Sequence, residues 1–102
     1  MVHVIATIHL NEGTRDRFLS EFHRLVPEVL AEEGCIEYGP AIDIESGISA
    51  QGPLRPCAVT VIEKWASLDA LKKHLDAPHM HTYRGRVKDF VSQVELQILE
   101  NA

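Results

Sequence analysis

From Val2 to Leu10 apolar and polar positions alternate, with Val4, Ala6, Ile8 and Leu10 on one side and His3, Ile5, Thr7 and His9 on the other. A period of two is that of a β-strand with one face turned to a core. After a turn at Asn11-Glu12-Gly13 the period lengthens. Phe18, Leu19, Phe22, Leu25, Val26, Val29 and Leu30 recur at helical spacing, predicting a helix over Arg15 to Glu33 with Thr14 as N-cap and Gly34 as its stop. Pro27 is expected to kink or split that helix, because it cannot donate to the carbonyl four residues back. Cys35 to Ile44 reads as a second strand, bent at Gly39 and Pro40. Glu45 to Pro56, with two Gly, two Pro and two Ser, reads as a long hairpin loop. Cys57 to Trp65 is the clearest strand, rich in β-branched residues. Ser67 then caps a helix through Leu68, Leu71 and Leu75 that stops before Pro78, and a helical continuation covers His79 to Phe90. Alternation returns from Ser92 to Leu99, with Val94, Leu96 and Ile98 on one face.

The order β-α-β-β-α-β predicts an α+β, ferredoxin-like domain over residues 1–102, an antiparallel sheet with helices on one face. The other sheet face is not wholly polar. It carries Ile5 on the first strand and Ile62 beside Ala58, Thr60 and Lys64 on the third. A chain this short cannot cover it alone, so two copies pairing sheet to sheet, a homodimer, is the economical expectation.

Composition narrows the class of function. Hydrophobic residues are 45% of the 102, charged residues 25%, and the net charge is −5 with the basic residues scattered. That argues against nucleic acid as a partner and suits a small neutral or weakly acidic ligand. No apolar run reaches the roughly 20 residues of a membrane helix, and Met1-Val2-His3-Val4-Ile5 lacks the basic segment of a signal peptide, so a cytoplasmic protein is expected. Cys35 and Cys57 lie far apart, and free thiols are the preferred reading over a disulfide.

Three segments carry a resemblance: Glu32-Glu33-Gly34-Cys35-Ile36-Glu37-Tyr38, then Glu63-Lys64-Trp65-Ala66-Ser67-Leu68-Asp69-Ala70-Leu71, then His74-Leu75-Asp76-Ala77-Pro78-His79-Met80. In order and spacing they resemble the antibiotic-biosynthesis monooxygenase superfamily. The string Val26-Pro27-Glu28-Val29-Leu30-Ala31-Glu32-Glu33-Gly34-Cys35, with the loop around Gly47-Ile48-Ser49, is similar to its bacterial quinol monooxygenase branch. The resemblance implies a dimeric α+β barrel, oxidation of quinols or related polyphenolic aromatics by O2, and no metal or flavin. Haem-degrading relatives use an asparagine on the first strand where this chain has Ala6, which argues against that activity.

Without a cofactor the substrate must supply the electrons, and the protein must supply a base, an apolar pocket and donors for developing negative charge. His74 is the candidate base, since it borders the core-facing side of its helix beside Leu71 and Leu75. Glu63 shares a strand face with Trp65 and is expected to orient His74 as a carboxylate–histidine pair. The plain alternative is a hydrogen-bonded histidine at the core edge and a strand-end charge. Trp65, Tyr38 and Tyr83 suit the walls of an aromatic pocket, or simply the core. His79, next to the Pro78 break, is a candidate for substrate oxygen or a surface residue. His23 reaches either the pocket or a solvated helix edge. His74, His79 and His81 lack the i, i+4 pairing of a metal site, and no acidic ligand stands beside them in a known pattern. Two rival functions stay open: a non-catalytic small-ligand-binding dimer, and an enzyme of the same family that degrades or isomerises a small signalling carbonyl compound.

Overall fold

The two strands with the clearest alternation form the centre of the sheet. In the computed structural model, which describes residues 1–102, the elements are β1 (Val2–Leu10), α1 (Arg15–Leu30), β2 (Cys35–Ala41), β3 (Ala58–Trp65), α2 (Leu68–Leu75), α3 (Pro78–Val87) and β4 (Val91–Glu100). The sheet order is β2-β3-β1-β4 and every neighbouring pair is antiparallel, the ferredoxin-like α+β arrangement. Ala6 faces Val61 and Leu96 across the two ladders, so their side chains share the face on which the helices lie.

That face is the core. Val4, Ala6, Ile8 and Leu10 of β1 and Val59, Val61 and Trp65 of β3 are buried against Phe18, Phe22, Leu25 and Val29 of α1. The helical stripe is narrower than the apolar positions alone suggest, since Leu30 stays 49% exposed. Phe22 stacks on Tyr38 at 5.4 Å and meets Tyr83 edge-on at 5.8 Å, which ties α1 to β2 and α3.

Several local expectations change. The first helix ends at Leu30, not Glu33, and runs through Pro27 as one element. The carbonyl that Pro27 leaves without a donor belongs to His23, and both residues are exposed, so the gap lies on the solvent side of the helix. Thr14 occupies the N-cap position, yet its hydroxyl donates back to the Asn11 carbonyl at 2.6 Å and makes no cap bond. Ser67 does cap α2, accepting from the Ala70 amide at 3.1 Å. β2 stops at Ala41, and the loop that follows is pinned by Arg55, whose guanidinium grips Asp43 at 2.8 and 2.9 Å. Cys35 and Cys57 are free thiols. No helix is long and apolar enough to cross a membrane.

β4 differs from the other strands. Val94, Leu96 and Ile98 point to the helix side of the sheet, paired with Ile8, Ala6 and Val4, but remain 51%, 47% and 45% exposed. No helix reaches over them.

Candidate active site

Between the sheet and the helices lies a cavity of about 410 Å³. Its apolar walls come from Ala6, Ile8, Val61, Phe22, Met80 and Val87, and it opens beside Val94 and Leu96 of β4. A space of this size holds a one- or two-ring aromatic molecule. Polar groups reach it from Glu63, His74, Tyr38, Tyr83, Arg84 and Lys88.

His74 is 1% exposed, on the inward side of α2. Its ring lies against Trp65 at 4.6 Å and edge-on to Tyr38 at 5.4 Å. Its carboxylate partner is Glu32, not the expected Glu63: Nδ1–H donates to Oε2 of Glu32 at 2.8 Å. The second nitrogen, Nε2, has no protein partner, and the ring lines the cavity. Burial lowers the pKa of His74 more strongly than the Glu32 hydrogen bond and charge raise it, and His79 and Arg84 lower it further. The imidazole is therefore neutral at pH 7, with its basic nitrogen toward the cavity.

Glu32 reaches His74 because of the turn behind it. Gly34 has φ +83, and a Cβ there would stand 2.7 Å from Cβ of Ala70. Only glycine permits both that backbone conformation and the close passage of α2. The Ala66 amide then bonds the Gly34 carbonyl at 2.8 Å and locks the turn to the start of α2. The same Oε2 accepts a second donor, Nε2 of His79 in the first turn of α3, also at 2.8 Å. The expected absence of an acidic group beside the histidines is thus corrected. Glu32, His74 and His79 bring three ligand-type atoms within 4.8 Å of one another, a donor set able to hold a divalent metal. Here both imidazoles bond the one carboxylate.

Glu63 has a different partner. It is 6% exposed and accepts from Trp65 Nε1 at 2.9 Å. Burial pushes its carboxyl up to about 7, against the Trp65 hydrogen bond and with help from the Glu32 charge. Burial likewise raises the phenols of Tyr38 and Tyr83 far above neutrality. Both stay protonated, and neither hydroxyl is used by another protein group, so both are donors available to an oxygen in the cavity.

Of the residues singled out from sequence, the cavity collects His74, Glu63, Tyr38 and Tyr83. Trp65 does not line it. The indole sits behind His74 and Glu63 as a buried support, because a group so large on β3 fills the space under α2. His79 stands outside the cavity wall on Glu32. His23 is exposed and away from the site, since the buried stripe of α1 runs through Phe22, Leu25 and Val29. His81 is exposed and bonds Asp76 at 3.1 Å. Sequence reasoning missed Glu32, hidden at what was read as a helix tail, although it belongs to the first quoted motif. Arg84 and Lys88 were missed too; Arg84 donates to the Leu75 carbonyl at 2.7 Å, at the C-terminus of α2.

Comparison with known proteins bears on the family and the fold. The family model described as antibiotic biosynthesis monooxygenase matches residues 1–86. A protein of Escherichia coli K12 named "Probable quinol monooxygenase YgiN" is 39% identical over 102 residues, 98% of this chain and 97% of that protein. A conserved protein of Methanosarcina mazei Go1 superposes with a TM-score of 0.83 at 22% identity, covering 99% of this chain and 92% of its own. Rv0793 of Mycobacterium tuberculosis superposes with a TM-score of 0.80 at 22% identity, covering 99% and 94%.

Proposed function

The chain belongs to the antibiotic biosynthesis monooxygenase family, and from that premise we propose that it oxidises a quinol or related polyphenolic aromatic with O2, needing no metal or organic cofactor, with His74 as the base. The observation that carries this reading is a neutral, buried imidazole whose free nitrogen faces an apolar cavity. The printed name of the Escherichia coli relative points to the same substrate class.

Nε2 of His74 takes a hydroxyl proton from the bound hydroquinone, and the electron-rich anion passes one electron to O2. Radical recombination forms a carbon–oxygen bond at a ring carbon. Loss of water from the resulting hydroperoxide breaks the O–O and C–H bonds and leaves a new carbonyl. In sum, hydroquinone and O2 give hydroxyquinone and water, so the proton removed first is needed again at the peroxide. Tyr38 and Tyr83 are placed to donate to the oxygens on which negative charge develops, and Arg84 and Lys88 add positive charge at the rim. Glu32 holds the His74 tautomer that leaves Nε2 free.

A homodimer is part of the proposal. The half-exposed Val94, Leu96 and Ile98 beside the cavity mouth, and Ile5 and Ile62 on the opposite sheet face, support a second copy as their cover. Sedimentation at micromolar concentration tests that element.

The experiment for the activity is oxygen uptake by chelator-treated, dialysed protein given a reduced naphthoquinone, against a no-protein blank. We expect uptake well above the blank, and a fall on the order of 100-fold or more in His74→Ala. Uptake equal to the blank would remove the quinol assignment. Uptake unchanged in the variant would remove His74 as the base.

A further inference from the structure

The cavity wall has an outer side. Between α1 and α3 lies a surface depression of about 90 Å³, lined by Glu21, Glu28, His79, Thr82, Tyr83 and Arg86. Tyr83 borders both this depression and the cavity, so its ring is part of the partition between them. Three side chains cross that partition in series: His74 on the cavity side, Glu32 within the wall, and His79, 23% exposed, on the outer side. Both links meet at one oxygen, Oε2 of Glu32, at 2.8 Å each. A single hydrogen-bonded partner would suffice to orient His74. The second imidazole, continuing the chain to an open depression, needs another explanation.

We propose that His79, acting through Glu32, is the proton port of His74, carrying protons between the inner cavity and the outer depression. The inference rests on the reading of His74 as base, and it makes His79 and Glu32 positioning residues that never touch substrate. When Nε2 of His74 takes the substrate proton, the Nδ1 proton moves to Oε2 of Glu32. With the His79 ring protonated at both nitrogens and its Nε2–H on Oε2, Nδ1 releases one proton to water as Oε2 gains the proton from His74. One proton enters the chain and one leaves, and no electron moves along it. Delivery of the proton needed for water formation runs the same steps backward and restores every tautomer, so no ring has to turn. With a second copy covering the β4 side, the apolar cavity exchanges protons without admitting bulk water. The charged and titratable groups that face the chain are Glu63 on β3, Cys35 and Tyr38 on β2 and Arg84 on α3, with Glu21, Glu28 and Arg86 around the outer end.

His79→Gln tests this, because the amide nitrogen stands about where Nε2 stands and keeps a donor on Glu32 but cannot relay a proton. In chelator-treated protein with ¹⁵N-labelled histidine, exchange of the His74 Nδ1–H with water is measured by NMR. We expect His79→Gln to keep the wild-type melting temperature and the His74–Glu32 contact, and to slow that exchange at least about tenfold. Turnover of a reduced naphthoquinone should fall by about tenfold too. In His79→Ala, imidazole-type buffers should restore turnover in proportion to their concentration and basicity, a response that mere filling of space would not give. Exchange as fast as wild type in His79→Gln overturns the port, whether or not the wild type oxidises quinols. Slowed exchange with unchanged turnover in an active wild type overturns its part in the reaction. A wild type that takes up no oxygen defeats the quinol reading, while the exchange measurement still decides the port.

Discussion

The two walls of the cavity are built on opposite plans. The wall formed by β2, β3 and α2, with the turn at Glu32 and the start of α3, is closed and polar. Glu63 holds Trp65 and Glu32 holds His74 through hydrogen bonds, and His74, Trp65 and Glu63 are almost wholly removed from solvent. The wall at β4 is open and apolar, with Val94 and Leu96 half exposed although they point inward. Chemistry that depends on distances of a few tenths of an ångström is concentrated where the fold over-determines each side chain. Where it lines the cavity, the β4 wall offers Val91, Val94 and Leu96, none of them titratable, and fixes nothing but shape. It is the natural place for substrate choice to vary without disturbing the base.

Three substitutions can break or sharpen that contrast. The largest effect is expected from Glu32→Ala. It leaves the Nδ1–H of a histidine only 1% exposed without an acceptor, which should destabilise the fold by about 1–3 kcal/mol and lower kcat/KM on the order of 100-fold. Denaturant unfolding and oxygen uptake check the two parts. A variant as active as wild type would make the closed wall merely structural.

Glu63→Gln is expected to act on stability through pH. The carboxyl is raised from 4.5 to about 7 by burial, so the folded state holds its proton more tightly than the unfolded chain does. The stability this contributes is complete below about pH 4.5 and is lost as pH rises through 7. Gln keeps the acceptor for Trp65 and never ionises. The variant should therefore match wild type at pH 5 and gain about 2 kcal/mol at pH 8, read from thermal unfolding at both values. An equal effect at the two values would show that Glu63 keeps its ordinary acidity.

The smallest effect belongs to the open wall. Leu96→Ser should change KM for a reduced naphthoquinone several-fold through lost apolar contact, while the pH profile of kcat stays in place. A displaced profile would mean that the two walls are coupled.

How far the site was legible follows from where each residue lies. The alternation of β1 and β3 assigned Val4, Ala6, Ile8, Val59 and Val61 to one buried face, and that is where they are. Periodicity states which face a side chain takes, not whether anything covers it. Val94, Leu96 and Ile98 alternate as cleanly as the β1 residues and are still exposed, because the helices end short of β4. Glu63 was matched to His74 since strand and helix faces converge there, but its acceptor is taken by the indole two residues along its own strand. Glu32 lay in a turn whose geometry depends on Gly34 and on Ala70 across the contact, a long-range fit that no local pattern encodes. His74 and His79 are five residues apart, about 140° out of register on a continuous helix. They meet one carboxylate only because the chain breaks at Asp76-Ala77-Pro78 and starts a new helix.

Trp65 is the only tryptophan in the chain. It is fully buried, bonded to Glu63 and packed on the ring of His74. Its emission comes from a single dry environment, and an imidazolium quenches indole fluorescence where a neutral imidazole does so far less. The protein carries its own indicator for the charge on its base, so proton uptake at His74 during turnover can be followed by light, in stopped flow, on unlabelled wild-type protein.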